Sequence, residues 1–509
     1  MRGSGIDSGI SHFAICLAVG ALSMETVDIL HTRSILILDF STVEFKTYVE
    51  LINLLKDNFK IPYRYYDNFL KRVKVKYTSL FKEEGQRVLI PDGFLLKIIK
   101  LLKDKVDIRY RKDNDAPKPI TADWDNLKGH NVSFRAYQKE CLDAISEVVA
   151  AGLGGYVIAP PAFGKSHLIS YLALLYPKTK IDVISKRRDV VAGIYSTLLK
   201  FTPKVGLVTT GSKTKDRVTI YTADSLKHSD FDAELIILDE IHELVTDNYY
   251  KTLSNYAGVR LGLTATPDTR FDNLHTRIEA ICGFNIFQIN YTQAEDNNIV
   301  VPILVDWVDV NGENPVEGIS NPVERKRLGI WCNRYRNEII AKTARKYADA
   351  GLQVLILTET IQHLANLKEL LPDFEVCYSG TTSEGVYDGS LERMTPTKRE
   401  ELRRKFMNRE IMKAIATGVW AVGVSFDDLQ VLIRAEGSGS KTASVQVPGR
   451  ACRIGKLVDK EYGIVVDFVD RFDKIFYKKA VERAKMYAKS GWVQISPDNK
   501  IVNPERVTL

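Results

Sequence analysis

Cysteine is scarce and dispersed: the six in these 509 residues (Cys16, Cys141, Cys282, Cys332, Cys377 and Cys452) never form a C-x-x-C pair. That spacing argues against a disulfide framework or a zinc site built on paired thiolates, and it fits a reducing, cytoplasmic compartment. Long apolar runs are missing as well. No stretch approaches the roughly 18 consecutive apolar residues that cross a bilayer, so no membrane role is expected. There is no short-period repeat and no low-complexity tract, which sets aside solenoids and disordered arrays. Charge of one sign is not in large excess: 71 Lys and Arg face 64 Asp and Glu, a net charge of +7. Such a mildly basic balance permits a polyanionic partner without requiring one.

What is present is an ordinary globular composition, 45% hydrophobic and 27% charged, in a chain too long for one core. From Ser34 to Arg111, short alternating runs (SILILDF, RVKVKYTSL) surround segments with three- and four-residue apolar spacing, FKTYVELINLLKDNF and GFLLKIIKLLKDK. This predicts a small α+β domain over residues 24–118, closed by the proline-containing linker KDNDAPKPITADWD. Two series of short apolar strands follow, with helical stretches between many of them. YVIAP, IDVIS, VTIYT, LIILDE and GLTATP fall in 119–300, and VLILT, FEVCYSG, AIATGV, VLIRAE and GIVVDFV in 301–480. Two such series predict two tandem parallel-sheet lobes, with residues 481–509 as a tail.

The chemistry concentrates in four places. Ala159-Pro-Pro-Ala-Phe-Gly-Lys-Ser166 joins a strand to the apolar helix HLISYLALL, and a helix N-terminus there aims N–H groups at phosphates. Pro161, Ala162, Phe163, Gly164 and His167 complete that lining; Lys165 reaches the β- and γ-phosphates and Ser166 ligates Mg²⁺. Ala159 stands where the strict phosphate-loop pattern has glycine. Leu235-Ile-Ile-Leu-Asp-Glu-Ile-His242 ends a buried strand in two carboxylates. Asp239 suits Mg²⁺ held through water, and Glu240 suits the orientation and deprotonation of an attacking water. Alone, this pair reads as an acidic loop; downstream of a phosphate loop it reads as half of a phosphoryl-transfer site. Gly262-Leu-Thr-Ala-Thr-Pro267 places Thr264 and Thr266 where, with His242, they link the site to a neighbouring domain. Gln446-Val-Pro-Gly-Arg-Ala-Cys-Arg453 sets Arg450 and Arg453 on one helix face in the second lobe, fit to neutralise a transferring phosphoryl group. Without the other motifs, they are two surface arginines.

These elements, in this order, resemble the superfamily 2 helicases and translocases of the D-E-x-H group. Further matches fall in sequence. Phe134-Arg-Ala-Tyr-Gln138 resembles the adenine-reading motif, with Arg135 and Gln138 at the base. Val183-Ile-Ser-Lys-Arg187, Thr222-Ala-Asp-Ser-Leu226, Val354-Leu-Ile-Leu-Thr358 and Ile415-Ala-Thr-Gly-Val419 with Gly423 and Asp427 resemble later motifs. The resemblance implies two RecA-like lobes, ATP and Mg²⁺ as the reacting groups, Gly423 and Asp427 near the nucleotide, and strand contacts by Lys186, Arg187, Thr222, Thr358 and Thr417. Within the superfamily, the chain is most similar to phage UvsW-type DNA helicases. That implies remodelling of forks, Holliday junctions or R-loops in recombination, repair or replication, by a monomer in a bacterial host's cytoplasm. Gln446, where many RNA-directed relatives carry histidine, tilts toward DNA.

Residues 1–23 carry one arginine and a short apolar stretch that superficially suits a signal peptide. ATP is not available outside the cell, so an extension preceding a start at Met24 is the expectation. In the N-terminal domain, alternation along RVKVKY puts Arg72, Lys74 and Lys76 on one strand face, suited to phosphates beside aromatic rings. A solvated face over an aromatic core competes closely with that. Three other readings remain: an RNA helicase on the same motor, a nucleotide-switched binding module, and a restriction-enzyme motor subunit. Paired arginines in the second lobe speak against the simple switch, and no nuclease-like carboxylate–lysine cluster is evident.

Overall fold

The computed structural model describes residues 25–67, 72–130, 132, 134–160, 163–228, 232–265, 267, 272–378, 391, 394–420, 426–437, 448–451, 453–505, 507 and 509. The proposed extension and Met24 lie outside these, as do Pro161, Ala162, Thr266, Gly423 and Gln446. Arg450 is described only through its backbone, in the turn Pro448–Arg450. No helix among the described residues is long and apolar enough to cross a membrane.

The N-terminal region forms β1 (Thr26–Thr32), β2 (Ile35–Asp39), α1 (Phe45–Phe59), β3 (Lys60–Asp67), β4 (Arg72–Ser79), β5 (Lys82–Glu84), β6 (Arg87–Pro91), α2 (Leu95–Leu102) and β7 (Asp107–Lys112). Period-two alternation does the local work: β1 and β2 bury every second residue, and Val27, Ile29, Leu36 and Leu38 meet Leu55 and Ile98 from the two helices. The sheet order is β5-β6-β2-β1-β7. β3 and β4 do not join it. Among the described residues they make strand pairs only with each other, as an antiparallel ribbon running from Lys60 opposite Ser79 to Asp67 opposite Arg72.

The next lobe carries β8 (Gly155–Ile158), β9 (Ile181–Ser185), β10 (Gly206–Val208), β11 (Lys213–Thr214), β12 (Val218–Thr222), β13 (Leu235–Asp239), β14 (Val259–Thr264) and β15 (Phe284–Gln288). Its described strands lie in the order β11-β10-β12-β9-β13-β14-β8-β15, parallel throughout except β11. Strands β9, β12, β13 and β14 are buried at every position, which explains why they read as continuous apolar runs. The chain leaves β8, crosses to β9, and later returns to lay β13 and β14 between them. The carboxyl ends of β8, β13 and β14 therefore face one crevice, where open α/β sheets hold ligands.

The second lobe is a parallel sheet of β16 (Ile303–Val310), β17 (Val354–Leu357), β18 (Glu375–Cys377), β19 (Lys413–Ala416), β20 (Val431–Arg434), β21 (Gly463–Asp470) and β22 (Val493–Ile495), in the order β18-β19-β17-β20-β21-β16-β22. Two RecA-like lobes and an N-terminal α/β region thus make up the chain. The expected boundary at 480/481 is corrected. Helix Lys474–Lys489 runs through it, and β22 pairs with β16. Arg483 and Tyr487 bond to the fully buried Asp467 at 2.9 and 2.7 Å, so removing the tail would take two hydrogen-bond donors from a buried carboxylate.

The N-terminal region is docked on the first lobe. Asp92 pairs with Arg260 of β14, and His31 Nε2 lies 3.2 Å from the same carboxyl; all three are at most 8% exposed. Beside them, a Cβ on Gly93 would stand 2.1 Å from the Glu279 carbonyl, so only glycine permits this approach.

Candidate active site

The phosphate loop begins where β8 ends. Ala159 is fully buried, and its N–H donates to the Thr264 carbonyl at 2.9 Å, extending the pairing with β14. Its backbone is not in the left-handed region, which accounts for alanine where the strict pattern has glycine. Gly164 does need to be glycine: its φ is +90°, and a Cβ would come within 2.8 Å of Gln138 Nε2. A helix follows at once, Lys165–Leu175, with Leu168 to Leu175 all buried. Packing holds that helix, so its N-terminal N–H groups and dipole stay aimed at the loop. Phe163 is fixed between Tyr137 and Phe287, with ring centroids 5.1 and 6.1 Å away.

Facing the loop, β13 delivers Asp239 and Glu240. Lys165 Nζ lies 2.7 Å from Glu240 Oε1. Glu240 has φ of +48°, an uncommon conformation for a residue with a side chain, and begins the short turn Ile241–Glu243. His242 Nδ1 lies 3.5 Å from Glu240 Oε2 and 2.9 Å from the Thr264 hydroxyl, joining the ends of β13 and β14. Burial, and then the charge of Glu240, push the Asp239 carboxyl above its ordinary range. Burial pushes Glu240 up too, but Lys165, His242 and Arg187 outweigh it and hold the carboxyl below the usual value.

Asp239 Oδ1 is buried without a hydrogen-bond partner. An unpaired buried carboxylate oxygen at the mouth of a phosphate loop suits a divalent cation, and Ser166, in the first turn of the helix, offers a hydroxyl beside Lys165. The residues present fit Mg²⁺.

Other predicted residues divide. Gln138 is buried; its Oε1 accepts from the Arg135 N–H and its Nε2 donates to the Phe163 carbonyl, both at 3.1 Å. It therefore braces the phosphate loop here. His167 is held below the ordinary imidazole value by burial, and then by the charges of Lys200, Lys456 and Arg135. Lys456 belongs to the second lobe, so that lobe's cations act on the phosphate-loop helix. Arg453 Nη1 lies 3.4 Å from Asp427, whose other oxygen meets Lys456 Nζ at 2.7 Å. Among the strand-facing candidates, Lys186 is exposed and Arg187 partly so, whereas Thr222, Thr358 and Thr417 are buried, 3 to 6% exposed. The Thr222 hydroxyl bonds Ser225 at 2.7 Å. On the ribbon, Arg72 and Lys76 are exposed, and Lys74 pairs with Asp67 at 2.6 Å.

Three residues were missed. Glu243 grips Arg187, Nη2 to Oε1 at 2.6 Å; its place three residues after Glu240 was the available signal. Lys456 lies just beyond Arg453. Asp428 accepts the N–H groups of Lys456, Leu457 and Val458 at 2.7, 2.7 and 3.0 Å, anchoring the segment after Arg453; nothing local in the sequence marks it.

Residues 131–269 match the type III restriction enzyme res subunit family, and residues 337–455 match the helicase conserved C-terminal domain. DNA 3′–5′ translocase XPB2 of Sulfurisphaera tokodaii is 22% identical over 392 residues, which span 69% of this chain and 84% of the relative. An uncharacterized ATP-dependent helicase of Methanocaldococcus jannaschii, MJ1574, is 26% identical over 36% of this chain and 26% of its own length. Among solved structures, the type ISP restriction-modification enzyme LlaBIII bound to DNA aligns with 72% of this chain and 31% of its own, at 14% identity and a TM-score of 0.51. T4 UvsW aligns with 92% of this chain and 99% of its own, at 16% identity and a TM-score of 0.38. With both family matches falling on the two lobes, and an ATP-dependent helicase and a translocase among its relatives, the chain belongs to the superfamily 2 helicases and is an ATP-hydrolysing helicase.

Proposed function

We propose that this helicase is a DNA motor that remodels branched DNA, forks above all, in recombination, repair or replication. The observation that carries the motor's chemistry is the 2.7 Å contact between Lys165 and Glu240. When ATP enters, Lys165 exchanges Glu240 for the β- and γ-phosphates, and Glu240 is left to orient and deprotonate the attacking water. Asp239 and Ser166 would hold Mg²⁺, which would supply charge neutralisation for the phosphoryl transfer. Arg453, and with it Arg450, neutralises charge on the transferring phosphoryl group from the second lobe. His242, bonded to Thr264, ties the state of Glu240 to the end of β14. Lys186 and Arg187 meet strand phosphates at the carboxyl edge of the first sheet.

DNA is favoured because the XPB2 relative is a DNA translocase. Branched DNA is favoured by the ribbon, which carries a basic row on one face and rests on the first lobe through the Arg64 N–H, bonded to the Asp272 carbonyl at 3.1 Å, and through Tyr63. Lys76 pairs across with Tyr63 and Lys74 with Tyr65, so rings and cations share that face. The test is ATPase stimulation measured in parallel with forked DNA, duplex DNA, single-stranded DNA and RNA. Forked DNA is expected to stimulate most; strongest stimulation by RNA overturns the reading.

A further inference from the structure

Arg187 ends the loop that follows β9, immediately before helix Arg188–Leu198, where its guanidinium would meet a strand lying along the sheet edge. Its fork is already engaged. Nη2 and Nε lie 2.6 and 3.2 Å from Glu243 Oε1, and Nε lies 3.3 Å from Oε2. Glu243 closes the short turn that begins at Glu240, so this carboxylate and the catalytic one sit at the two ends of a single backbone turn. Both partners keep access to solvent, with side-chain exposures of 36% for Arg187 and 15% for Glu243. The pair is therefore reachable by a ligand, unlike the fully buried pairs of the second lobe.

We propose that Glu243 is an internal competitor for the phosphodiester backbone. In the strand-free protein it holds Arg187, and a strand phosphate takes the guanidinium from it. The chemistry matches: a planar guanidinium binds carboxylate and phosphate in the same forked geometry, so one can replace the other without moving the arginine far. Release of Glu243 frees the far end of the turn that holds Glu240 at φ of +48°. Strand binding thereby reports directly to the catalytic carboxylate, and Glu243 is a positioning residue for the hydrolysis step. This inference rests on the nucleic-acid-motor reading above.

The test uses the full chain, fluorescein-labelled poly(dT) as the probe, and three readouts: affinity across a salt series, ATPase with and without poly(dT), and thermal unfolding as a check on folding. Glu243→Gln removes the competitor, so poly(dT) is expected to bind roughly tenfold more tightly, the scale of one charge-assisted contact. Its salt slope is expected to match the parent's, because Arg187 meets a phosphate in the bound state of both, and the ratio of stimulated to basal ATPase is expected to fall several-fold because binding no longer breaks a pair. Arg187→Gln is expected to weaken affinity and to flatten the salt slope by about 0.7, the share of one phosphate contact. An ion pair that is merely structural weakens binding in both variants. That outcome, or a Glu243→Gln protein with the parent's affinity and stimulation ratio, overturns the proposal while leaving the motor reading standing. A parent chain that neither binds nor responds to poly(dT), to RNA or to forked DNA overturns both.

Discussion

Lys165 and Glu240, 75 residues apart in sequence, meet at 2.7 Å between the phosphate-loop helix and the tip of β13. Each offsets the other's charge there, and in the proposed mechanism ATP would draw Lys165 to its phosphates and leave Glu240 to the attacking water. Lys165→Ala is expected to abolish hydrolysis, since it removes the charge-assisted contact to the phosphates. Glu240→Gln is expected to bind ATP at least as tightly as the parent, because Lys165 no longer has to leave a carboxylate, and to turn over slowly. Fluorescent-nucleotide titration and phosphate release separate the two effects; near-normal turnover in Glu240→Gln removes that residue from its role.

Arg453 is expected to act at the transition state. Arg453→Ala should lower kcat by about two orders of magnitude with little change in nucleotide affinity. Steady-state kinetics beside equilibrium nucleotide binding decide this: a loss confined to affinity makes Arg453 a ground-state contact.

Replacing Arg72, Lys74 and Lys76 together by alanine is expected to weaken fork binding and flatten its salt dependence, because fewer counterions are released. Arg72 and Lys76 should account for most of the loss, since Lys74 already pairs with Asp67. Basal ATPase should persist, as these three residues are no part of either lobe. Parent-like fork binding with an unchanged slope marks the face as merely solvated.

Asp182 on β9 offers a test by pH. It is 6% exposed, and burial raises its carboxyl to about 6 from 3.8, although a hydrogen bond from the Tyr256 hydroxyl draws it back. The folded state therefore binds this proton more tightly than the unfolded chain does. Ionising the carboxyl costs stability above the folded value, and the cost shrinks as pH falls toward the unfolded one. Asp182→Asn is expected to stabilise the first lobe by up to about 2–3 kcal/mol near pH 8 and by almost nothing near pH 4. Thermal unfolding across that range checks it; a gain independent of pH contradicts the sign.

Much of the motor was legible because its signals are local. A buried parallel strand reads as an apolar run whichever neighbour it pairs with, and the loop from Ala159 to Ser166 carries its own turn chemistry. The N-terminal alternation was legible for the same reason, but the separation of β3 and β4 from the main sheet was not, since pairing partners are not written in a strand's own residues. Thr222, Thr358 and Thr417 follow their motifs in sequence, yet burial turns them inward. The contacts of Glu243 with Arg187 and of Asp92 with Arg260 join residues 56 and 168 positions apart, and no window along the chain contains both members.

That last contact has a mechanical side. A lever transmits motion only if its mounting does not slip. Prising Asp92 from Arg260 would leave charges stranded in the interior, at a cost of about 3–5 kcal/mol, and Gly93 sits too close to the Glu279 carbonyl to slide past it. The N-terminal domain is thus bolted to the first lobe, and any closure of the lobes in the proposed cycle would carry it with the first lobe as one body. Motion lost as slippage at that seam would be small, so what the first lobe does the N-terminal domain would do with it.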